Sequence, residues 1–446
     1  MEDQVIGKIG SKFSTMFRSL KYRNYRLFFT GQSISLIGTW MQRIALPWLV
    51  YHITGSAFLL GLVSFAGQIP TFLLSPVAGV ITDRFNRYKV LLTTQILSLL
   101  QASVLAALAL TGTIQIWHIV VLSIIFGCIN AFDTPARHSF VVQMVDRKED
   151  LGNGIALNSL MFNGARLIGP SVAGIMLAST NEGVCFLINA ISYIFVIVSL
   201  MLMKIPPREN HSSGSRIVSE IREGFSYTFG FEPIKHLIIL LAVVNLLGAS
   251  YQVLMPVFAK EVLHGGSGIY GFLMGAAGLG ALVGAGYLAA RESILKLGRM
   301  IPMAATVFGT GLIILSFTDY VPATMILMVI IGYGLMLNTA ATNTILQTIT
   351  EDDKRGRVMS FYTMAIMGTA PFGSLIAGSL AKIFDTRVAI VVGGISCVIA
   401  ALVFFRKLPR LKEIVKLVYE ALEAGKEIRN ESMIARGPSE DASEIA

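Results

Sequence analysis

Charge is scarce in this 446-residue chain: 14% of its residues are Asp, Glu, Lys or Arg, while 54% are apolar. With a mean hydropathy of +0.67, an ordinary water-soluble fold is excluded. Cysteine is almost absent. Cys128, Cys185 and Cys397 all fall in apolar runs, so neither a disulfide framework nor a thiolate metal site is expected. No carboxylate stands at the centre of an apolar run. There is no H-E-x-x-H pair and no Walker A loop, which argues against a membrane-embedded hydrolase and against autonomous ATP use. The N-terminus, MEDQVIGKIGSKFSTMFRSL, lacks the apolar core of a secretory signal. No cofactor, metal ion or nucleic-acid partner is expected.

What the chain does have is apolar runs of about 20 residues, long enough to cross a ~30 Å hydrocarbon core as helices. They lie near 25–50, 59–81, 90–110, 116–137, 153–178 and 183–204, then near 236–258, 268–290, 300–318, 322–346, 357–381 and 387–406. The expected fold is all-α and integral to a membrane, with twelve transmembrane helices. Of the 36 Lys and Arg residues, all but Lys260, Lys382, Arg387, Arg43 and Arg166 fall in alternate connections on one side, together with both termini. The positive-inside rule therefore places both termini in the cytoplasm, and the net charge of +9 is the sum of this bias, suited to an anionic inner leaflet.

The polar stretch 205–235 contains Pro206, Pro207 and the segment NHSSGS. It reads as a cytoplasmic linker between a six-helix bundle over 25–204 and another over 236–406. A shift of 204 places Gln143 on Gln347, Gly152 on Gly356, Gly164 on Gly368, Gly169 on Gly373 and Gly174 on Gly378. Such duplication predicts two pseudo-symmetric bundles with a solute site between them. Residues 1–24 form a cytoplasmic N-terminal segment. Residues 407–446 read as a surface-lying amphipathic helix, with Leu411, Ile414, Val418 and Leu422 on one face, followed by a disordered tail.

Three local patterns carry chemistry. Between the second and third runs stands Gly79-Val-Ile-Thr-Asp83-Arg84-Phe-Asn86-Arg87-Tyr-Lys89, a tight turn in which Asn86 tolerates left-handed backbone. On the fourth run, Asp133 and Arg137 are one turn apart, in the order that favours an ion pair. Asp133 is read as a partner for Arg84 or Arg87; a substrate or proton role and a plain helix end are the alternatives. On the fifth run, Arg166, Gly169, Pro170 and Gly174 combine a charge with small residues that allow close helix approach. A charge at membrane depth costs at least ~2.5–3.5 kcal/mol unless paired or hydrated. Arg43 therefore either faces a cavity or snorkels to the outer interface, and Arg166 either faces solute or ties helices together. Gln32, Thr39, Asn130, Asn245, Gln252, Asn338 and Asn343 are candidate cavity residues, with interhelical hydrogen bonding as the alternative.

The Gly79–Lys89 string resembles the loop 2–3 signature of the major facilitator superfamily, whose acidic residue and arginines form a cytoplasmic latch. That superfamily usually has glycine where Asn86 stands, and the corresponding Gly286–Arg291 lacks the aspartate. The Arg166–Gly174 segment is similar to the helix 5 motif of exporters, with alanines replacing several glycines. Phe132–Val141, Gly154–Pro170, Gly38–Gln42, Leu59–Gly61 and Arg355–Val358 extend the resemblance to the branch that includes enterobactin exporters and macrolide or multidrug efflux proteins, over about residues 20–406. The resemblance implies a monomeric secondary transporter of a cell inner membrane that works by alternating access and proton antiport. It would export drugs, a siderophore or other amphipathic molecules through a cavity lined by helices 1, 4, 7 and 10. Many relatives carry an acidic residue where Thr39 stands, and its absence here leaves Asp133 or a histidine to take the proton. Two buried arginines without central carboxylates suit an anionic or hydrogen-bond-accepting substrate. Import, or transport of another metabolite, is the alternative, with a membrane enzyme behind both.

Overall fold

The computed structural model describes residues 18–141, 143–145, 147–204, 225–291, 297–351 and 354–435, with positions 76, 80, 83, 84, 148, 410 and 412–435 described without side chains. Most of the expected N-terminal segment and linker, and the end of the tail, lie outside these residues. The helices are α1 (Arg23–Thr54), α2 (Ala57–Arg84), α3 (Arg87–Leu110), α4 (Ile116–Val141), α5 (Lys148–Ser179), α6 (Glu182–Met201), α7 (Glu232–Val262), α8 (Ser267–Ala289), α9 (Leu297–Ser316), α10 (Val321–Ile349), α11 (Arg355–Ile383) and α12 (Thr386–Ala435). Eleven of them contain stretches long and apolar enough to span a bilayer. The exception is α1, which carries Gln32, Ser33, Ser35, Thr39, Gln42 and Arg43 within its 32 residues.

The boundaries follow local chemistry. Helix α1 stops at Gly55, whose φ of 59° is left-handed and whose N–H donates to Tyr51 O. Asn86 departs from the expected turn geometry. It is extended (φ −63°) and its Oδ1 accepts from the N–H groups of Tyr88 and Lys89, capping α3. Helix α4 runs to Val141, past the expected end at 137, which sets Asp133 roughly two turns inside it. Helix α12 continues through Pro409 to Ala435, where a separate surface helix was expected. Single π-turns at Val244–Gly248 and Phe258–Val262 interrupt α7, and one at Met364–Gly368 interrupts α11. No sequence period announces them, because each inserts one residue into an otherwise regular helix.

Close helix approach is where the glycines matter. A Cβ on Gly174 would lie 2.9 Å from Gly271 Cα on α8, and one on Gly378 would lie 3.0 Å from Gly61 Cα on α2. A Cβ on Gly169 would strike Trp40 on α1, and one on Gly373 would strike Leu246 on α7. The 204-residue shift thus relates α5–α8 to α11–α2 and α5–α1 to α11–α7. At the end away from the N-terminus, the first six helices meet the last six. There Tyr51 OH donates to Glu261, and Trp48 stacks on Tyr270 with ring centroids 6.0 Å apart.

At the other end, the segment before α1 grips α5. Asp150, almost fully buried, pairs with Arg18, takes Lys21 Nζ at 2.6 Å and accepts from Tyr22 OH at 2.6 Å. Ser19 donates to Asp150 O and to Asn153 Oδ1. The hydrogen bond to Asp150 holds Lys21 above the ordinary lysine value. Its contribution to stability is therefore complete below that value and is lost only as pH rises through the folded one. Replacing Asp150 with alanine is expected to lower the melting temperature and to speed tryptic cleavage after Arg18 and Lys21, because it strands three donors at once. Unchanged melting and cleavage would mean that the clasp does not hold the segment.

Candidate functional site

Polar groups inside the first six helices converge on one cavity of about 40 Å³. Its wall is built by Gln32, Ser35, Thr39, Trp40 and Arg43 of α1, Gln95 and Ser98 of α3, Phe126, Asn130, Asp133 and Arg137 of α4, Phe162 of α5 and Tyr193 of α6. Of the sequence-derived candidates, Gln32, Thr39, Arg43, Asn130, Asp133 and Arg137 meet here.

Asp133 is 7% exposed. Its Oδ1 accepts from Thr94 Oγ1 at 2.9 Å and Gln95 Nε2 at 2.6 Å, and Arg137 Nε stands 3.7 Å from Oδ2. Thr39 and Tyr193 hydroxyls lie 3.2 Å apart. Deeper in the bundle, Asn189 Nδ2 donates to Gln42 Oε1 at 2.7 Å. Burying this many polar groups is tolerable only because nearly all find partners. Two do not: Gln32 Oε1 and Gln95 Oε1 are buried and accept nothing among the described residues.

The two membrane arginines share a partner. Trp40 has the Arg43 guanidinium 4.9 Å and the Arg166 guanidinium 5.8 Å from its ring centroid, and Phe162 meets the ring edge-on. Among the described residues no carboxylate lies within ion-pair distance of either arginine. Gly169, one turn after Arg166, permits the α1–α5 approach that brings Trp40 against it. Arg43 keeps an exposed side chain, as a residue on the wall of a cleft does. Cation–π contact supplies about 0.5–2 kcal/mol and leaves the donors of both guanidiniums free for an acceptor.

The remaining candidates lie elsewhere. Asn245 is buried in the first π-turn of α7 and donates back to Leu241 O. Asn338 is fully enclosed and donates to Ile301 O of α9, a tie between helices, so neither faces the cavity. Asn343 accepts from Gln347 on its own helix, and Gln252 sits half-buried on α7. Pro170 is buried, and Gly174 belongs to the α5–α8 seam. In the expected latch, a Cβ on Gly79 would meet only open space and Arg87 begins α3, while the side chains of Asp83 and Arg84 are outside the described set. Gln95, Ser98 and Tyr193 were not foreseen. The signal was present in Thr94, Gln95, Ser98 and Gln101, a polar stripe at helical spacing in an otherwise apolar run.

The sequence profile described as transmembrane secretion effector, of the MFS_3 type, matches residues 14–434, and the chain belongs to this family of the major facilitator superfamily. Its members are transporters, not enzymes. A staphyloferrin A transporter of Staphylococcus aureus is 27% identical over 387 residues, covering 85% of this chain and 95% of that protein. The multidrug efflux pump Tap of Mycolicibacterium fortuitum is 23% identical over 393 residues, covering 84% and 93%. Among solved structures, a bacterial homolog of the lysosomal transporter Spinster, inward-facing and unoccupied, superposes with a TM-score of 0.63 at 13% identity, covering 90% of this chain and 98% of that one. At that identity the likeness speaks for the fold alone.

Proposed function

We propose that this protein is a secondary active exporter of amphipathic small molecules that carry an anionic or hydrogen-bond-accepting group. The observation that carries this reading is the pair Arg43 and Arg166 over Trp40, two cations at membrane depth with no carboxylate within ion-pair distance among the described residues. A guanidinium left unpaired there is costly unless a solute or water completes it. The staphyloferrin A transporter and the Tap pump among its relatives support movement of small molecules and, for the latter, its outward direction.

In this reading, twelve helices form two six-helix bundles, both termini are cytoplasmic, and the chain acts as a monomer. The bundles rock about the cleft. The Tyr51–Glu261 and Trp48–Tyr270 contacts close the outer end. Gly79, Asp83, Arg84 and Arg87 form the latch of the opposite state. Proton coupling runs through Asp133, the carboxylate of the cavity wall.

The test is substrate accumulation in an efflux-deficient host expressing the protein, with staphyloferrin A, a catecholate siderophore, macrolides and cationic dyes, each with and without a protonophore. Lower accumulation of an anionic compound, reversed by the protonophore, is expected. Lower accumulation of the cationic dyes alone, or uptake in place of loss, would overturn the reading.

A further inference from the structure

We propose that the cavity selects a solute whose polar head is a carboxylate with a neutral hydroxyl beside it, a 2-hydroxycarboxylate. Arg43 and Arg137 take the carboxylate, and Gln95 is the residue that reads the hydroxyl. This rests on the cavity being the solute seat of an exporter, and it names the chemical class that the seat prefers.

The cavity is small. Its volume of about 40 Å³ is far below the roughly 300–1,000 Å³ that encloses a whole drug-sized molecule. It has room for roughly three water-sized groups. Only the head of an amphipathic solute enters, and its apolar remainder stays in the cleft outside. The two carboxylate oxygens and the adjacent hydroxyl oxygen of a 2-hydroxycarboxylate match that room.

The charge on the wall chooses an anion. The guanidiniums of Arg43 and Arg137 share it with a single carboxylate, Asp133. Arg137 Nε stands 3.7 Å from Asp133 Oδ2, beyond hydrogen-bond reach. No carboxylate among the described residues lies within ion-pair distance of Arg43. The excess of positive charge attracts a carboxylate and opposes an ammonium group.

A carboxylate alone does not complete the wall. Guanidiniums only donate, and it would satisfy them, but the glutamines require a donor from the solute. Gln32 is 3% and Gln95 2% exposed, and Oε1 of each finds no donor among the described residues. The Gln95 amide cannot exchange its ends. Its Nε2 donates to Asp133 Oδ1 at 2.6 Å, and a half turn would set amide oxygen against carboxylate oxygen. Gln95 Oε1 is therefore a fixed acceptor. The hydroxyls of Thr39, Ser98 and Tyr193 rotate to give or take a proton and impose no such choice. A plain carboxylic acid leaves Gln95 Oε1 buried without a donor, which is penalised. A hydroxyl next to the carboxylate supplies the donor without adding positive charge to a wall that already has an excess.

The test is binding to the full chain in lipid nanodiscs, read by Trp40 fluorescence in a Trp48→Phe, Trp117→Phe background. Three compounds share one phenyl body: 2-hydroxy-3-phenylpropanoate, 3-phenylpropanoate and 2-phenylethylammonium. The hydroxy acid should bind on the order of tenfold tighter than the acid without the hydroxyl, and the ammonium most weakly. Gln95→Leu should bring the two acids to within about twofold of each other. A glutamine with only a structural role would, when lost, weaken both acids alike and keep their ratio. Equal affinities for the two acids before any change at Gln95 would overturn hydroxyl recognition and leave the anion reading standing. A ratio that survives Gln95→Leu would overturn the role of Gln95. If neither acid binds and the cavity holds water alone, the proposal fails. Tighter binding of the ammonium than of both acids would overturn it together with the function on which it rests. If Gln95→Leu does not fold, Gln95→Met, which keeps the length of the side chain and lacks the amide, carries the same expectation.

Discussion

Replacing Gly271 with tryptophan is expected to leave the protein inserted in the membrane but unable to close the end that bears the Tyr51–Glu261 contact. A Cβ at this position would lie 2.6 Å from Gly174 N and 2.8 Å from Pro170 O, and both atoms belong to backbone that cannot turn aside. The same seam is crowded further along, where a Cβ on Gly278 would lie 2.9 Å from Arg166 O. Interiors this dense respond to added volume by separating elements, and separation here pulls α5 from α8. Transport should fall by at least about tenfold, since every cycle passes through the closed form. Spin labels on His52→Cys and His264→Cys, two exposed positions at that end, should report longer distances. Gly286→Ala, whose added Cβ meets nothing within 4 Å, is the control expected to match the wild type. Unchanged distances with transport intact would show that the α5–α8 seam is not where closure occurs.

The second large effect is expected from Arg43→Ala. The guanidinium lies 4.9 Å from the Trp40 ring centroid, within cation–π range, and no carboxylate among the described residues pairs with it, so its donors suit an anionic solute. Losing a hydrogen bond to a charged group removes about 1.5–3 kcal/mol, which is roughly ten- to a hundredfold in affinity for an anionic solute. Arg43→Lys should recover only part of the loss, because an ammonium keeps the charge but loses the planar fork. Export of a cationic dye by the same cells should be unaffected or improved. Equal losses for anionic and cationic compounds would assign Arg43 to folding and not to recognition.

Much of this architecture was legible from residues alone. Hydropathy places a helix wherever twenty apolar residues follow one another, because a lipid core leaves backbone groups no other partner. The 204-residue shift was legible too, and the structure shows what it records: Gly174 and Gly378 serve equivalent helix contacts. The site was legible in part. Arg43, Asp133 and Arg137 attract notice because a charge in an apolar run is expensive. Asn245 and Asn338 look the same in sequence as Gln32 or Asn130, since an amide reads alike whether it ties two helices or faces a cleft. Only the packing of α9 against α10 shows that Asn338 is spent on Ile301 O.

Composition, run length and the placement of Lys and Arg determined that this is a multi-pass helical membrane protein with its membrane-depth polar groups concentrated in a few helices. Those properties depend on transfer free energies, which are local sums over residues. Tertiary structure alone decided that Trp40 sits between Arg43 and Arg166, that Gln95 joins Asp133 from 38 positions away, and that two glutamine oxygens on the same cavity wall find no donor among the described residues. These are matters of which helix faces approach which, and that depends on the rotation and closeness of whole helices set by glycines such as Gly169.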